Sequence, residues 1–126
     1  MQVIQTQNAP AAIGPYSQAI MAGNMLFTSG QLGMDPATGA LPEGITEQTK
    51  QSLQNIQAIL QEAGFQIADI VKTVVYIRNM NDFAAVNGIY ASFFGSHKPA
   101  RSCVEVSHLP KDGLVEIEVV AQRDQE

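Results

Sequence analysis

Positive charge is scarce in this sequence. Its 126 residues include seven lysines and arginines against twelve aspartates and glutamates, which gives a formal net charge of −5. Proteins that act on nucleic acid usually present a basic stripe, because neutralising phosphates supplies most of their non-specific affinity. The basic residues of this chain are scattered. The charge pattern therefore argues against nucleic acid as the main partner.

Cysteine and long apolar runs are also scarce. The one cysteine, Cys103, cannot form an internal disulfide, so a reducing, cytoplasmic compartment is predicted. No run approaches the ~20 apolar residues that span a membrane. The N-terminus MQVIQTQNAP lacks the basic and apolar regions of a secretory signal. We therefore expect a soluble protein with no membrane partner.

Sequence motifs for metals and phosphate-bearing cofactors are missing as well. The chain contains no GxGxxG, no phosphate-binding Gly-Lys-Ser/Thr loop, no CxxC and no HExxH. Its two histidines, His97 and His108, and its one cysteine do not have the spacing of metal ligands. We therefore expect no metal site.

Two segments show the period of a helix. Apolar residues spaced three and four apart predict a helix over residues 46–63, which ends at Gly64. A second helical pattern covers about residues 81–94 and ends at Gly95. The residues expected to point inward from this second helix are Phe83, Val86, Tyr90 and Phe93.

The remaining periodic segments predict strands, because they alternate in polarity or are dense in valine and isoleucine. Two strands flank the turn Gly23-Asn24, one lies within IADIVKTVVYIR, and two cover residues 100–106 and 114–122. The predicted order is β-β-α-β-α-β-β. This order indicates a single α+β domain over residues 1–126, with one mixed sheet and both helices on one of its faces.

The predicted sheet has more apolar surface than two helices can cover. The last strand alternates apolar residues with Glu116 and Glu118, and the central strand is apolar on both sides. A symmetric homo-oligomer is therefore predicted to cover the second face. On the central strand we expect Ile70, Val74 and Tyr76 on one side and Val71, Val75 and Ile77 on the other.

Arg101 begins the strand in the segment PARSCVEV and has two interpretations. One is a surface arginine paired with Glu105 or Glu116. The other is a carboxylate-binding group, because Pro99 restrains the backbone before it and a guanidinium matches a planar carboxylate through two hydrogen bonds. Strand alternation puts Arg101 on the same face as Cys103, and we expect that face to be the subunit interface.

Glu116 and Cys103 each have two interpretations. Glu116 is either an exposed residue on a face shared with Glu118 or, where an interface desolvates it, a general acid/base with a raised pKa. Cys103 is either a nucleophile with His97 or His108 as its base, or a buried small hydrophobe, which is the commoner role. The histidines are otherwise interpreted as solvated loop residues.

Four further positions carry weaker signals. Ser29 and Gly30 end a predicted strand, where a glycine lets another group approach the backbone closely. Tyr16 in GPYSQ is interpreted as a capping aromatic, and Asn87 as a surface residue of the second helix. None of these positions indicates a function by itself.

Taken together, the segments resemble the reactive-intermediate deaminase family, also called the RidA or YjgF-like family, over essentially the whole chain. The matching stretches are NAPAAIGPYSQAI, FTSGQLGMDPATG, DIVKTVVYI, NDFAAVNGIYASFF and PARSCVEVSHLPKDGLVEIE. The last stretch is similar to the family signature, in which Pro-Ala-Arg-Ser precedes a strand, Leu-Pro, and a strand with two glutamates. Five matches in the same order are highly specific.

The resemblance implies a chorismate-mutase-like fold and a homotrimer, in which three sheets form a central barrel and the sites lie between subunits. By position, Arg101 matches the family arginine that binds the substrate carboxylate, and Glu116 matches the acid near the attacking water. The family positions that line the pocket match Tyr16, Ser29, Gly30, Asn87 and Cys103.

The resemblance further implies hydrolysis of 2-imino and enamine acids, such as 2-aminoacrylate and 2-iminobutanoate, to 2-keto acids and ammonia. No cofactor is expected, because an imine is already electrophilic and needs only orientation and one proton-transfer group. Two alternatives stay open: a sensor that binds 2-keto acids without turnover, and a holdase-like interaction protein. Family members have also been linked to ribonuclease activity, which the acidic charge balance disfavours here.

Overall fold

The structure, a computed structural model, describes residues 1–124, so the last two residues of the predicted domain lie outside the described part. It contains seven strands and two α-helices, which confirms the predicted α+β class. Sequence patterns missed β1 and β4 because strands of three and two residues are too short to show a period. In chain order the elements are β1 (Gln2–Ile4), β2 (Ala19–Ala22), β3 (Met25–Thr28), β4 (Gln31–Leu32), α1 (Ile45–Ala63), β5 (Ile70–Ile77), α2 (Phe83–Phe94), β6 (Ala100–Glu105) and β7 (Val115–Gln122).

One mixed sheet contains all seven strands. Their spatial order is β1-β2-β3-β7-β5-β6, and β4 also pairs with β7. β5 and β6 are parallel, and α2 makes the crossover that a parallel pair requires. Thr73 of β5 lies beside Arg101 of β6, and Tyr76 of β5 lies opposite Glu116 of β7. The strands that carry both candidate residues therefore flank β5.

Both helices pack on the same face of the sheet, as predicted. Their buried side chains form one core with alternate residues of β5 and β7. α1 ends at Gly64, whose left-handed backbone (φ 80°) suits a glycine. The inward residues of α2 differ at one position from the prediction: Phe94 is buried, whereas Phe93 is half-buried at the rim of the core. Val86 and Tyr90 are buried as expected, and Phe83 is half-buried.

β5 begins with an irregularity that changes which residues share a face. The β5–β7 register shifts between Ile70 and Lys72, so Val71 is an extra residue in the ladder. Ile70 is buried in the core, whereas Val71 is exposed. The prediction that Ile70 shares a face with Val74 and Tyr76 is therefore wrong, because a strict two-residue period cannot reveal a bulge.

The second face of the sheet, which we call the open face, lies on the side away from both helices. Several of its large apolar side chains are exposed, including Val3 (60%), Phe27 (44%) and Val104 (43%). Apolar surface of this extent is typical of an interface with another protein surface. By strand alternation and register, the open face includes Val3, Ile20, Phe27, Val74, Tyr76, Val104, Glu116, Glu118 and Val120.

Candidate active site

Arg101 extends from the edge strand β6 and is held by α2. Its Nη1 donates a hydrogen bond to Oδ1 of Asn87 over 2.8 Å. Arg101 lies beside Thr73, which is fully buried on the helix side of the sheet. The expectation that Arg101 and Cys103 point to the uncovered face is therefore wrong. Strand alternation shows which residues share a face, but it does not show which face the helices cover.

Aromatic rings lie beneath the Arg101 guanidinium. Its central carbon lies 4.7 Å from the centre of the Tyr90 ring and 5.6 Å from that of Phe83. The Tyr90 hydroxyl in turn lies 2.7 Å from Oγ1 of Thr73. Ring contact and hydrogen bonding both restrict the arginine, so its remaining N–H groups stay available to a planar anion. The contact of Tyr90 with Arg101 was not visible in the sequence, because the helical spacing of Tyr90 indicates only a core residue.

The ion pairs considered for Arg101 do not occur within residues 1–124. Glu105 instead accepts a hydrogen bond from the backbone N–H of Met80 over 2.7 Å. Glu116 points to the open face, away from Arg101. Asn87, expected on the helix surface, is half-buried against the arginine. The guanidinium is therefore oriented by neutral partners and keeps its charge uncompensated by a carboxylate of this part of the chain.

A cleft of about 430 Å³ opens beside Arg101. Apolar ring and proline surfaces next to a fixed guanidinium suit a small organic carboxylate. The cleft is formed by the second half of α2 and the segment after it, with walls that include Asn87, Tyr90, Phe94, His97, Lys98 and Pro99.

Cys103 follows Arg101 on the same face of β6 and lies beside Val75. It is half-buried and packs against the core. Burial raises the pKa of its thiol, and the nearby Arg101 charge opposes that rise only in part. A raised pKa keeps the thiol protonated, whereas a nucleophilic cysteine must be a thiolate. The structure therefore favours the buried hydrophobe over the nucleophile.

The two histidines have other partners. Nε2 of His97 donates to the carbonyl oxygen of Ile70 over 2.7 Å and so attaches the loop after α2 to β5. His97 is half-buried, which makes its assignment as a solvated residue wrong. Nε2 of His108 lies 3.0 Å from Oδ1 of Asp112, and both side chains are exposed, as predicted for a solvated loop. Neither contact makes a histidine a base for Cys103.

Glu116 lies on the open face, against the backbone at Gly30. A Cβ atom at Gly30 would come within 2.8 Å of the Glu116 carboxyl carbon, so only glycine leaves room for this carboxylate. Burial, and then the charge of Glu118, raises the pKa of Glu116. A carboxyl group with a raised pKa exchanges protons closer to neutral pH, as a general acid or base must.

The backbone at Gly30 is an interruption in the sheet. β3 and β4 pair with β7 in registers that differ by one residue, so one extra residue lies in the segment between them. The hydroxyl of Thr28 spans the gap by accepting a hydrogen bond from the backbone N–H of Val119 over 3.0 Å. Bulges commonly re-aim the chain next to functional sites. This one lets Gly30 receive the Glu116 carboxylate.

Hydrogen bonds connect the same interruption to the segment after Tyr16. Oγ of Ser29 donates a hydrogen bond to the carbonyl oxygen of Ser17 over 2.6 Å. The backbone N–H of Ser29 donates a second one to the carbonyl oxygen of Gln18 over 2.9 Å. Tyr16 itself is 54% exposed, so its ring is free to contact another molecule. These bonds hold the segment after Tyr16 against Ser29, the residue that precedes Gly30.

Arg101 and Glu116 thus belong to two groups on opposite faces of one sheet. The sheet separates the groups, so one small molecule cannot contact both within a single chain. The first group contains Arg101, Asn87 and Cys103, and the second contains Glu116 and Gly30. Ser29 precedes Gly30 in the chain, and its hydroxyl is bonded to Ser17, the residue after Tyr16.

Membrane-spanning helices and clusters of metal ligands are both absent from residues 1–124. No helix in that range has both the length and the apolar character needed to cross a membrane. No group of three or more His, Cys, Asp or Glu side chains in the same range is arranged to hold a metal ion.

Known proteins resemble this chain along nearly its whole length. The profile of the Endoribonuclease L-PSP family matches residues 6–123. The 2-iminobutanoate/2-iminopropanoate deaminase of Salmonella typhimurium is 53% identical over 125 residues, which cover 97% of this chain and 98% of that protein.

Solved structures agree with the sequence comparison. The YjgF gene product of Escherichia coli is 50% identical, with a TM-score of 0.95 over 98% of this chain and 100% of that one. Escherichia coli TdcF with bound serine is 46% identical, with a TM-score of 0.95 over 98% of this chain and 100% of that one. The resemblance noted in the sequence is confirmed, and the chain belongs to the YjgF/RidA family, whose profile is named Endoribonuclease L-PSP.

Proposed function

We propose that this protein is a deaminase that hydrolyses reactive 2-imino and enamine acids, such as 2-aminoacrylate and 2-iminobutanoate, to 2-keto acids and ammonia. The observation that carries the proposal is the fixed guanidinium of Arg101 beside an open cleft. These acids carry a planar carboxylate, which a guanidinium binds through charge-assisted hydrogen bonds that contribute about 1.5–3 kcal/mol each. The name of the Salmonella relative and the serine bound to TdcF support this class of substrate.

The opposite placement of Arg101 and Glu116 supports a site between subunits. In the proposed homotrimer, the three open faces pack into a central barrel. Arg101 of one subunit then lies across the interface from Glu116 of the partner subunit. Association also buries exposed apolar side chains such as Phe27 and Val104. Such an interface joins two different surfaces and closes into a ring after three subunits.

In the proposed reaction, the group around Arg101 binds the substrate and the group around Glu116 carries out the proton transfer. Arg101 binds the substrate carboxylate, with its direction set by Asn87 and Tyr90. A water beside Glu116 attacks the C=N carbon, and Glu116 accepts a proton from that water. The resulting intermediate loses ammonia as its hydroxyl becomes the carbonyl of the 2-keto acid. Tyr16, Ser29, Gly30 and Cys103 complete the walls of the pocket in this proposal.

A second function, sensing of 2-keto acids without turnover, is favoured by one observation. The Arg101 group is assembled on its own face of the sheet without any contact from Glu116. It is therefore able to bind a carboxylate whether or not the second group takes part. Sensor and enzyme differ only in whether bound imine is hydrolysed.

The test is the release of ammonia and 2-keto acid from 2-aminoacrylate that a serine dehydratase generates in the assay. The protein, Arg101→Ala and the control Lys50→Ala, which removes a charge from the exposed surface of α1, are compared with the uncatalysed rate. Acceleration by the protein and the control, but not by Arg101→Ala, is the expected result. No acceleration by any of them, with 2-oxobutanoate still binding in a calorimeter, would replace the deaminase with the sensor.

A further inference from the structure

Tyr76 lies next to both glutamates of the open face, Glu116 and Glu118. In the β5–β7 pair Tyr76 lies opposite Glu116, yet its hydroxyl donates to Oε1 of Glu118 over 2.7 Å. Glu116 and Glu118 are two residues apart in β7, so both side chains point to the open face. Both are half-buried there. One phenol therefore holds a second carboxylate in place next to Glu116.

The carboxylate of Glu118 affects the ionisation of Glu116. Two like charges in a partly buried setting disfavour each other's ionisation. After burial, the charge of Glu118 is the further cause that raises the pKa of Glu116. The hydrogen bond to Glu118, burial and both glutamate charges raise the pKa of Tyr76 above its ordinary value. Tyr76 therefore stays protonated, and remains a donor to Glu118, throughout the pH range in which a glutamate titrates.

Few other polar groups of the described chain face Glu116. β4 contributes Leu32 opposite it, and the segment before β4 contributes Gly30. Lys72 lies further along β5, and its Nζ donates to Oγ of Ser102 in β6 over 3.3 Å. Within residues 1–124, Glu118 on the same strand and Tyr76 on β5 are the titratable groups next to Glu116.

We propose that Tyr76 and Glu118 are positioning residues for Glu116, which acts as both the acid and the base of the reaction. The inference rests on the proposed deaminase function. A residue that alternates between acid and base must have both forms accessible near the working pH. A second carboxylate fixed beside it provides that condition, because it makes the protonated form of Glu116 easier to regain after each proton transfer.

The reaction then proceeds in three steps, which contain four proton transfers. First, the Glu116 carboxyl gives its proton to the terminal carbon of the enamine; the C=C electron pair forms the C–H bond, and the nitrogen lone pair forms C=N. Second, the Glu116 carboxylate takes a proton from water as the water oxygen bonds to the C=N carbon and the C=N electron pair returns to nitrogen.

The third step releases the product through two proton transfers. The re-formed Glu116 carboxyl protonates the amine, and the C–N bond breaks so that ammonia leaves with the bonding electron pair. The hydroxyl group forms the keto C=O and returns its proton to Glu116. Enamine and water have become 2-keto acid and ammonia, and Glu116 is again the carboxylic acid with which the cycle began.

The experiment compares pH profiles of kcat/KM for 2-aminoacrylate. Glu118→Gln keeps the size of the side chain and removes its charge. The alkaline limb of the profile, on which the free enzyme loses the Glu116 proton that begins the cycle, should therefore move to lower pH. Tyr76→Phe should move it in the same direction but less, because Glu118 loses only the bond that holds it in place. Glu62→Gln removes an exposed carboxylate from α1 and should leave the profile unchanged.

A second readout does not depend on turnover. Titration of ¹³C-carboxyl-labelled glutamates by NMR, with the Glu116 signal assigned by its loss in Glu116→Gln, should show the same order of shifts. An unchanged Glu116 titration in Glu118→Gln and Tyr76→Phe, in folded protein, would overturn the inference and leave the deaminase function standing. Shifted titrations without any acceleration by the unmodified protein would instead overturn the deaminase and, with it, the three-step cycle.

Discussion

Oδ1 of Asn87 accepts a hydrogen bond from Nη1 of Arg101 over 2.8 Å, and this contact joins α2 to the edge strand β6. The amide occupies one side of the guanidinium while the Tyr90 ring occupies another. Both contacts orient the remaining donors of Arg101 before any substrate arrives. In the proposed site, affinity for a carboxylate therefore depends on a neutral residue of α2 as well as on the arginine.

Asn87→Ala should weaken substrate binding more than turnover. A hydrogen bond to a charged group contributes about 1.5–3 kcal/mol, which corresponds to an increase in KM of roughly 10- to 100-fold. kcat should change less, because the water and Glu116 are unaffected. Steady-state kinetics with 2-aminoacrylate measure both constants. Gly88→Ala, on the same helix with nothing within 4 Å of the added Cβ, is the matched control. A fall confined to kcat would contradict this role of Asn87.

Arg101→Lys should fail nearly as badly as Arg101→Ala. Lysine keeps the positive charge but cannot form two parallel hydrogen bonds to a carboxylate, and it cannot reproduce the guanidinium contact with Tyr90. Calorimetric titration with 2-oxobutanoate compares the two variants with the unmodified protein. Near-normal affinity of the lysine variant would show that a point charge suffices and would remove the bidentate model.

Gly30→Ala should disable Glu116 without touching the Arg101 group. The added methyl group would lie 2.8 Å from the Glu116 carboxyl carbon, so the carboxylate must move. General acid–base catalysis typically contributes about 10²- to 10⁴-fold, and we expect a loss of kcat in that range with binding of 2-oxobutanoate retained. Kinetics and calorimetry on the same preparation separate the two effects. Full activity in this variant would mean that the position of Glu116 is not critical.

Glu116→Gln should lose activity and gain stability at neutral pH. Because the pKa of Glu116 is raised above its ordinary 4.5 in the folded chain, its contribution to stability is present in acid and is lost as pH rises through the raised value. Glutamine has no charge to desolvate. The variant should therefore show a higher Tm than the unmodified protein at pH 7 and an equal one below pH 4, measured by calorimetry. A lower Tm at pH 7 would indicate that the assembled protein pairs Glu116 with a cation.

Mixed trimers provide a test of the proposed intersubunit site. Arg101→Ala and Glu116→Gln should each be inactive, but subunits unfolded together and refolded at equal concentration should regain activity. Roughly a quarter of the sites should then be intact, because a heterologous interface pairs the two chains in the required order by chance. The refolded unmodified protein and the two variants mixed without unfolding are the controls. Activity that never recovers would place both residues in one subunit or make the protein a monomer.

Local sequence determined both helices. The apolar spacing over residues 46–63 and 81–94 predicted α1 and α2 to within two residues at each end, and Gly64 marked the end of α1. Spacing of this kind is encoded within a few turns of chain, and caps act on the nearest backbone groups. The Asn87-Gly88 pair is typical of a hairpin turn when taken alone. It lies within α2 because the helical spacing of the apolar residues around it outweighs that local preference.

Features that depend on pairing between distant strands were not visible in the sequence. The bulge at Val71 and the offset between β3 and β4 exist only as mismatches against β7, more than 40 residues later in the chain. A period of two cannot reveal an extra residue whose effect appears only in the partner strand. The contact between Gly30 and Glu116 follows from one of these mismatches.

The sequence by itself determined the family, the two helices, the main strands, and the identity of Arg101 and Glu116 as candidates. Only the tertiary structure decided that these two residues lie on opposite faces of the sheet, and that Arg101 rests on α2 instead of on the open face. Alternation along a strand is a local property that relates a residue to its neighbours. The face to which each set of residues belongs depends on where the helices pack, and that is decided by contacts across the whole chain.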